Sequence, residues 1–326
     1  MRCLGCFKNT KQTYCPKCKK ELFGNQKIDL RLDFDKKEFL STKIALSENM
    51  SISGVQDKIA LKIENGKLTP AIKNSHFLLK PIPIMDYGQF LNDVAANEHF
   101  TMQLARQVYK IDTASNALIE FCDGELAYIT KRFDRVEGQK IKQEDFASLA
   151  QKSEQIHGNN YKYDYSYEQI ARLIKLYLPA YKIEMIKFFK LVLFNYLIGN
   201  GDAHLKNFSV IQRTTKDYTL TPAYDLLSSS LHLPNESRTA LELFEEYETQ
   251  SFEANGYYAY DDFIKFAVII GVDEKIANKI IDEFCSYQSK TLQLLEHSFL
   301  SDDAKRGYES IYLDRIKAVR YRYQCV

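Results

Sequence analysis

The chain has no surplus of charge of either sign. Its 326 residues carry 44 Lys and Arg against 43 Asp and Glu, so nothing supports a whole-protein polyelectrolyte role such as coating DNA. Long apolar runs are also missing. The most hydrophobic stretch, Phe188 to Ile198, is interrupted by Lys190 and falls short of the roughly 20 residues that cross a bilayer. Cys3 follows close behind Met1, and no apolar stretch of secretory type stands there. These absences lead us to expect a soluble, cytoplasmic protein with no membrane partner. Internal repeats are absent, as are low-complexity tracts beyond a Tyr-rich patch at Tyr161–Tyr167, and no DNA-reading motif is visible.

At 45% hydrophobic residues the chain can bury a sizeable core, as one bilobal unit or two domains. Four of the seven cysteines are used early, in Cys3-x-x-Cys6 and Cys15-x-x-Cys18 with eight residues between the pairs. Each CxxC turn offers two thiolates, and two turns complete the closed tetrahedral shell of a structural zinc site. A reducing compartment favours metal over disulfides for such pairs. Lys8, Lys11, Lys17, Lys19 and Lys20 would offset the charge of the tetrathiolate. A catalytic zinc is not expected, because no ligand position stays open for water. Cys122, Cys285 and Cys325 read as reduced structural or surface thiols.

The stretch Gln26–Lys37 is charged and reads as a linker or as the edge of the next unit. Beyond it, Lys58–Glu64 and Lys67–Ile72 alternate around Asn65-Gly66, a hairpin signal. His76–Lys80 is a short buried-type strand, Phe90–Tyr109 has helical spacing, and Ala117–Phe121 and Glu125–Thr130 flank a second turn at Asp123-Gly124. The rest is mainly helical: Ile183–Ile198 is apolar nearly all round, Tyr260–Ile270 and Glu274–Phe284 are amphipathic, and the basic tail from Ile311 is helical. One hairpin, Phe208–Gln212 with Tyr218–Thr221, interrupts it. We therefore expect an α+β, bilobal protein-kinase-like fold with a small β-rich N-lobe, a larger helical C-lobe and a small N-terminal zinc knuckle. The expected divisions are 1–24, 25–133 and 134–326, with a ligand cleft between the lobes.

The strongest chemical signal is Gly199-Asn200-Gly201-Asp202-Ala203-His204-Leu205-Lys206-Asn207, between the buried helix and a strand. Asp202 and Asn207 have the D-x-x-x-x-N spacing of a kinase catalytic loop, in which a carboxylate accepts the substrate hydroxyl proton and an amide oxygen coordinates Mg²⁺. On their own the two residues suit an ordinary polar turn. Asp225, in Pro222-Ala223-Tyr224-Asp225 beyond the hairpin, supplies the second oxygen ligand and reverses the odds. The stretch Ser51-Ile52-Ser53-Gly54-Val55-Gln56-Asp57-Lys58 has a single glycine. It is a poor generic phosphate loop and fits a simple Ser/Gly turn equally well, although backbone N–H groups beside glycine can cradle phosphate. Lys80 ends a buried strand before Pro81; its partner is an anion, either an ATP phosphate or Glu98 on the next helix, or else the side chain simply snorkels to water. Lys131-Arg132-Phe133-Asp134-Arg135 is either a hinge lending backbone groups to adenine or a solvated charged turn.

Taken in order, SISGVQDK, FLLKP, NEHFTMQLA, YITKRFDR, KQEDF, LIGNGDAHLKNFSV and LTPAYDLL resemble the HipA family of serine/threonine kinase toxins over roughly residues 51 to 230. The resemblance implies that Asp202 is the catalytic base, that Asn207 and Asp225 hold Mg²⁺, and that Lys80 contacts the phosphates beside Glu98. It assigns Ser53, Gly54, Val55, Gln56, Asp57 and Lys58 to a flexible loop over ATP. Lys131, Arg132 and Phe133 become the adenine hinge, and His204, Leu205, Lys206 and Tyr224 join the nucleotide site. Autophosphorylation is implied at Ser51 or Ser53, where added charge opposes the ATP phosphates and ejects the loop. The implied partners are a HipB-like helix-turn-helix antitoxin, through which any DNA contact would be indirect, and a protein substrate of the aminoacyl-tRNA synthetase kind. Two positions depart from the family pattern: Lys131 stands where an acid is common, and Lys142 where histidine is frequent. Neither touches the metal or the base. Only 50 residues precede the Gly-containing loop, so the chain looks like the short HipT-like kinases of three-gene systems, whose missing subdomain a separate small HipS-like protein supplies.

Three functions compete on this reading. An active protein kinase toxin predicts ATP consumption that depends on Asp202 and Mg²⁺. A silent kinase-like regulator holding an antitoxin–DNA complex predicts nucleotide binding at most, which the intact set of Asp202, Asn207, Asp225 and Lys80 opposes. A small-molecule phosphotransferase would use the same groups, and only the flanking stretches favour a protein acceptor.

Overall fold

The first residues fold into a cysteine knuckle followed by helix α1 (Pro16–Phe23), which has proline at its first position, where a missing N–H costs nothing. In this computed structural model the described residues are 1–47, 58–83, 88–136 and 138–323. The charged stretch after α1 proves to be an edge rather than a free linker. Asp29 N–H donates to Gly66 O and Leu32 N–H to Glu120 O, before helix α2 (Lys36–Ser47), which the sequence pattern did not announce.

Five antiparallel strands make the main sheet. Strands β1 (Ile59–Glu64) and β2 (Lys67–Pro70) are joined by Asn65-Gly66, both at positive φ, as a tight hairpin turn of this hand requires. Strands β3 (Phe77–Lys80), β4 (Asn116–Glu120) and β5 (Leu126–Lys131) complete the order β2-β1-β3-β5-β4. Helix α3 (Val94–Gln107) lies between β3 and β4 in the chain and packs on β4 and β5. Every residue from Val94 to Ala105 is buried, because the sheet, the knuckle and the C-terminal helices enclose the helix.

A short hairpin, β6 (Arg135–Val136) and β7 (Gln139–Lys140), leads to β8 (Gln143–Asp145) and the small helices α4 (Phe146–Leu149) and α5 (Glu154–His157). Helix α6 (Tyr167–Tyr177) starts on a capping box between Ser166 and Gln169, and α7 (Tyr181–Leu197) is the central helix of the larger lobe. Phe188, Phe189, Leu193, Phe194 and Tyr196 of α7 are all buried, and each such side chain contributes roughly 1.5–3 kcal/mol. Strands β9 (Ser209–Gln212) and β10 (Tyr218–Leu220) join β8 in a three-stranded sheet in the order β10-β9-β8. Helices α8 (Gln250–Asn255), α9 (Tyr260–Ile270), α10 (Glu274–Ser286), α11 (Gln288–Glu296) and α12 (Asp302–Arg320) close the fold. Helix α12 begins earlier than the basic tail suggests, because Ser301 caps it and is itself held by Asp93, at 2.6 Å to the backbone and 2.8 Å to the hydroxyl. No helix among the described residues is long and apolar enough to cross a membrane.

Candidate functional site

Strand β3 delivers Lys80 between the lobes. Its alternation sends Phe77 and Leu79 into the sheet core, and Lys80, paired in register with Tyr128, is only 6% exposed. A buried ammonium needs charge compensation. It finds two carboxylates, Glu98 Oε1 on α3 and Asp225 Oδ1 after β10, each at 2.6 Å. One cation between two acids splits their behaviour. Burial pushes the Glu98 carboxyl up to about 7 despite Lys80. For Asp225 burial also acts upward, but attraction to Lys80 and the hydrogen bond from it outweigh burial and hold the carboxyl below its usual range. Asp225 keeps 39% of its side chain exposed and sits at φ 54°, a left-handed backbone that few residues other than glycine adopt. Lys58 lies near the same acids, its pKa lowered by burial and raised in part by Asp225.

Helix α7 is capped at Ile198, and at Gly199, φ 68°, the chain turns sharply into the loop Asn200–Asn207. An added Cβ at Gly199 would stand 2.6 Å from Ile311 Cγ2, and one at Gly201 would stand 2.4 Å from Ser237 O and 2.6 Å from the Glu236 carboxylate. Both glycines therefore let the loop press against its neighbours. Asp202 is half exposed and accepts a hydrogen bond from the Tyr163 hydroxyl at 2.5 Å. Asn207 Oδ1 accepts from the His204 N–H at 3.1 Å, which fixes the turn between them. His204 is buried, with its pKa pushed down to about 4 by that burial, and its Nδ1 has no partner among the described residues. The Tyr224 hydroxyl donates to Lys206 O at 2.7 Å, and the Phe133 ring lies 5.8 Å from the Tyr224 ring. Leu205 is fully buried beneath the loop.

At the end of β5 the N–H groups of Lys131 and Arg132 are taken by Ser115 O and His76 O, both at 2.8 Å. The Arg132 guanidinium is bound in a fork by Asp134, at 2.9 and 2.8 Å, so this segment is held rather than loosely solvated. The structure thus brings together Lys58, Lys80, Glu98, Asp225 and the Asp202–Asn207 loop, with Phe133 and Tyr224 beside them. Ser51, Ser53, Gly54, Val55, Gln56 and Asp57 lie outside the described residues. Two contributors escaped the sequence reading. Tyr163, on Asp202, belongs to the Tyr-rich patch, whose aromatic content alone gave no sign of a role. Glu236, which accepts from Ser229 Oγ at 2.5 Å and braces Gly201, has no motif around it.

The donor chemistry suits ATP with magnesium: Asp225 and Asp202 offer partly exposed carboxylates, Asn207 an amide oxygen, and Lys80 and Lys58 cations for phosphate. Elsewhere in the small lobe, Cys3, Cys6, Cys15 and Cys18 bring their sulfurs within 4.8 Å of one another, a cluster compatible with zinc.

A five-stranded lobe carrying one buried helix, joined to a helical lobe, is a protein-kinase-like fold. The chain belongs to the family described as HipA-like C-terminal domain, whose model matches residues 50–292. A Haemophilus influenzae protein named "Putative kinase" is 31% identical over 296 residues, covering 86% of this chain and 84% of its own length. "Putative kinase Y4dM" of Sinorhizobium fredii is 32% identical over 59% of this chain, and the serine/threonine-protein kinase toxin HipA of Shewanella oneidensis is 28% identical over 65% of it. The chain spans about half the length of these last two, 48% and 49%. Among solved structures, the Shewanella oneidensis toxin–antitoxin complex of HipA, HipB and operator DNA superposes with TM-score 0.61 at 21% identity, over 91% of this chain and 73% of that one. The Helicobacter pylori proinflammatory kinase CtkA does so with TM-score 0.53 at 13% identity, over 83% and 92%.

Proposed function

We propose that this chain is a cytoplasmic, ATP- and magnesium-dependent serine/threonine protein kinase, the toxin of a HipA-type pair. The observation that carries the reading is the convergence of Glu98 and Asp225 on Lys80, each at 2.6 Å, from three elements far apart in sequence. A kinase needs this lysine held straight by the helix glutamate and close to the metal-binding aspartate. Asn207 and Asp225 would hold magnesium, which when bound neutralises charge on the phosphate oxygens. Lys80 would contact the phosphates. Asp202, partly exposed at the loop tip, would accept the proton of the acceptor hydroxyl. With the Lys131 and Arg132 N–H groups already bonded, the hinge would meet adenine through the Phe133 N–H and backbone carbonyls, while His204, Leu205, Lys206 and Tyr224 wall the nucleotide. Ser53 to Lys58 would cover it, and Ser51 or Ser53 would accept the self-inactivating phosphate. The working divisions are 1–24, 25–133 and 134–326.

The named association of Shewanella HipA with HipB and operator DNA supports a helix-turn-helix antitoxin as partner here. A HipS-like small protein and an acceptor such as an aminoacyl-tRNA synthetase complete the reading. Phosphatase-treated wild type and Asp202→Asn, incubated with labelled ATP and Mg²⁺ and mapped by mass spectrometry, test it. Wild type should label Ser51 or Ser53, with incorporation about 100-fold or more lower in the variant. Equal labelling of both proteins would sink the assignment.

A further inference from the structure

The cysteine knuckle sits on the back of α3, the helix that carries Glu98. Cys6 and Cys15 Sγ are 3.8 Å apart, and all four sulfurs lie within 4.8 Å of one another. Four thiolates about 2.3 Å from one tetrahedral zinc stand about 3.8 Å apart, so the cluster needs little contraction to close on an ion. Cys3 Sγ already accepts N–H hydrogen bonds from Gly5 at 3.4 Å and Cys15 at 3.1 Å, the kind of support that stabilises a thiolate. Gly5 is demanded by the cluster itself, since a Cβ there would lie 2.7 Å from Cys18 Cβ and 2.9 Å from its sulfur. All four cysteines are free thiols in the structure.

The knuckle is tied to the lobe on three sides. Leu4 O accepts the Leu118 N–H at 2.9 Å and the Tyr14 hydroxyl donates to Leu118 O at 2.6 Å, which covers the β4 edge of the sheet. Toward the C-terminal helices, the Phe7 ring meets Phe299 at 5.8 Å, tilted by 47°. The third side is α3. His99 Nε2 faces Gly5 O at 3.4 Å, its ring lies 4.8 Å from Phe7, Gln107 donates to Cys6 O at 3.4 Å, and Arg106 pairs with Glu21 at 2.9 Å. Gly5 and Phe7 are the residues whose backbone the cluster fixes, and His99 adjoins Glu98.

We infer that Cys3, Cys6, Cys15 and Cys18 bind one structural zinc ion, and that the filled knuckle holds α3, and with it Glu98, in place against Lys80. On binding, each thiol gives its proton to solvent, and four thiolate–metal bonds form with no change of oxidation state. Zinc with its four thiolates would carry a net charge of −2, in a stretch rich in lysine at positions 8, 11, 17, 19 and 20. The metal site stands on its own geometry; only the meaning of the Glu98 position rests on the kinase reading.

The test begins with metal analysis of the full chain purified without added metal, which should give one zinc per chain. Refilling the metal-free protein with Co²⁺ should give a thiolate-to-cobalt charge-transfer band and the visible bands of a tetrahedral ion, and Cys18→Ser should lose both. Hydrogen exchange then reads the coupling. Removing the metal with a chelator should speed exchange across residues 94–107 about tenfold while 260–286 stays unchanged. His99→Leu, which leaves every thiol in place, should keep the zinc and still loosen α3. Absence of stoichiometric zinc and of the cobalt bands, or thiols found paired as disulfides in the purified protein, overturns the site. Metal that leaves without altering exchange in α3 overturns the coupling. None of these readouts needs turnover, and Asp202→Asn should hold the same zinc, so a failure of the kinase reading would be told apart.

Discussion

Lys80 holds two carboxylates with one charge, and the consequences are measurable one side chain at a time. Removing the ammonium leaves Glu98 buried without a counter-ion, so Lys80→Met should destabilise the protein by about 3–5 kcal/mol in urea unfolding unless Glu98 takes up a proton. Glu98 itself sets a pH dependence. Its folded pKa, raised by burial to about 7, lies above the usual glutamate value of 4.5. A raised carboxyl contributes stability that is complete below the unfolded pKa and is lost as pH rises through the folded one. Stability should therefore fall from about pH 4.5 to just above pH 7, by an amount on the order of 3 kcal/mol at most, and Glu98→Gln should flatten that part of the profile. A variant profile that keeps the wild-type slope there would contradict the assignment. Tyr163 makes the opposite kind of case. Its hydroxyl donates to Asp202 at 2.5 Å, the same bond that an acceptor hydroxyl would make on the proposed reading. Tyr163→Phe should raise autophosphorylation about fivefold, the equivalent of one net hydrogen bond of ~1 kcal/mol no longer competing. A slower variant would mean that Tyr163 positions Asp202 instead.

Elements decide whether these side chains meet. Helix α7 hands the chain to the Asp202 loop through Gly199, whose positive φ and 2.6 Å approach to Ile311 of α12 leave no room for a side chain. Gly199→Ala should cost about 2–4 kcal/mol and lower the melting temperature, with Gly256→Ala, also at positive φ but with nothing near its Cβ, as the milder control. Much of this level was legible beforehand. Period-two alternation and Asn65-Gly66 announced the β1–β2 hairpin, and the all-round apolarity of α7 announced a buried helix, because burial pattern and turn chemistry are local properties. Helix α2 was not legible, since its apolar and polar residues do not segregate into one face. The edge contacts of Asp29 and Leu32 were ambiguous for a related reason: they use backbone groups, which any residue supplies. In the candidate site, the D-x-x-x-x-N spacing pointed to Asp202 and Asn207, whereas Tyr163 and Glu236 come to the loop through contacts that only the folded chain creates.

At the scale of the whole molecule, the near-equal charge count supplies no net long-range attraction, so on the proposed reading nucleotide would be drawn to the site by local groups. The site is split between lobes: Lys80 and Glu98 come from the sheet and α3, Asp202 and Asn207 from the loop after α7, and Asp225 from the segment after β10. A ligand that touches all of them binds only the assembled fold and must stabilise it by mass action, by about 2.7 kcal/mol at a hundredfold excess over its dissociation constant. For a chain of this size that is a rise of several degrees in melting temperature. The expected pattern separates binding from chemistry. Wild type should gain this increment with ATP and Mg²⁺ together and less with ATP alone. Asp225→Asn should lose the magnesium-dependent part, each shift being measured against that variant's own unliganded baseline because the substitution also disturbs Lys80. Asp202→Asn should retain most of the shift while losing phosphotransfer, since its carboxylate is assigned to the acceptor and not to the nucleotide. If Asp225→Asn responded to magnesium as wild type does, the metal would be held elsewhere. The convergence of Glu98 and Asp225 on Lys80 would then be an interlobe tether, a structural role that Lys80→Met would still expose through its stability loss.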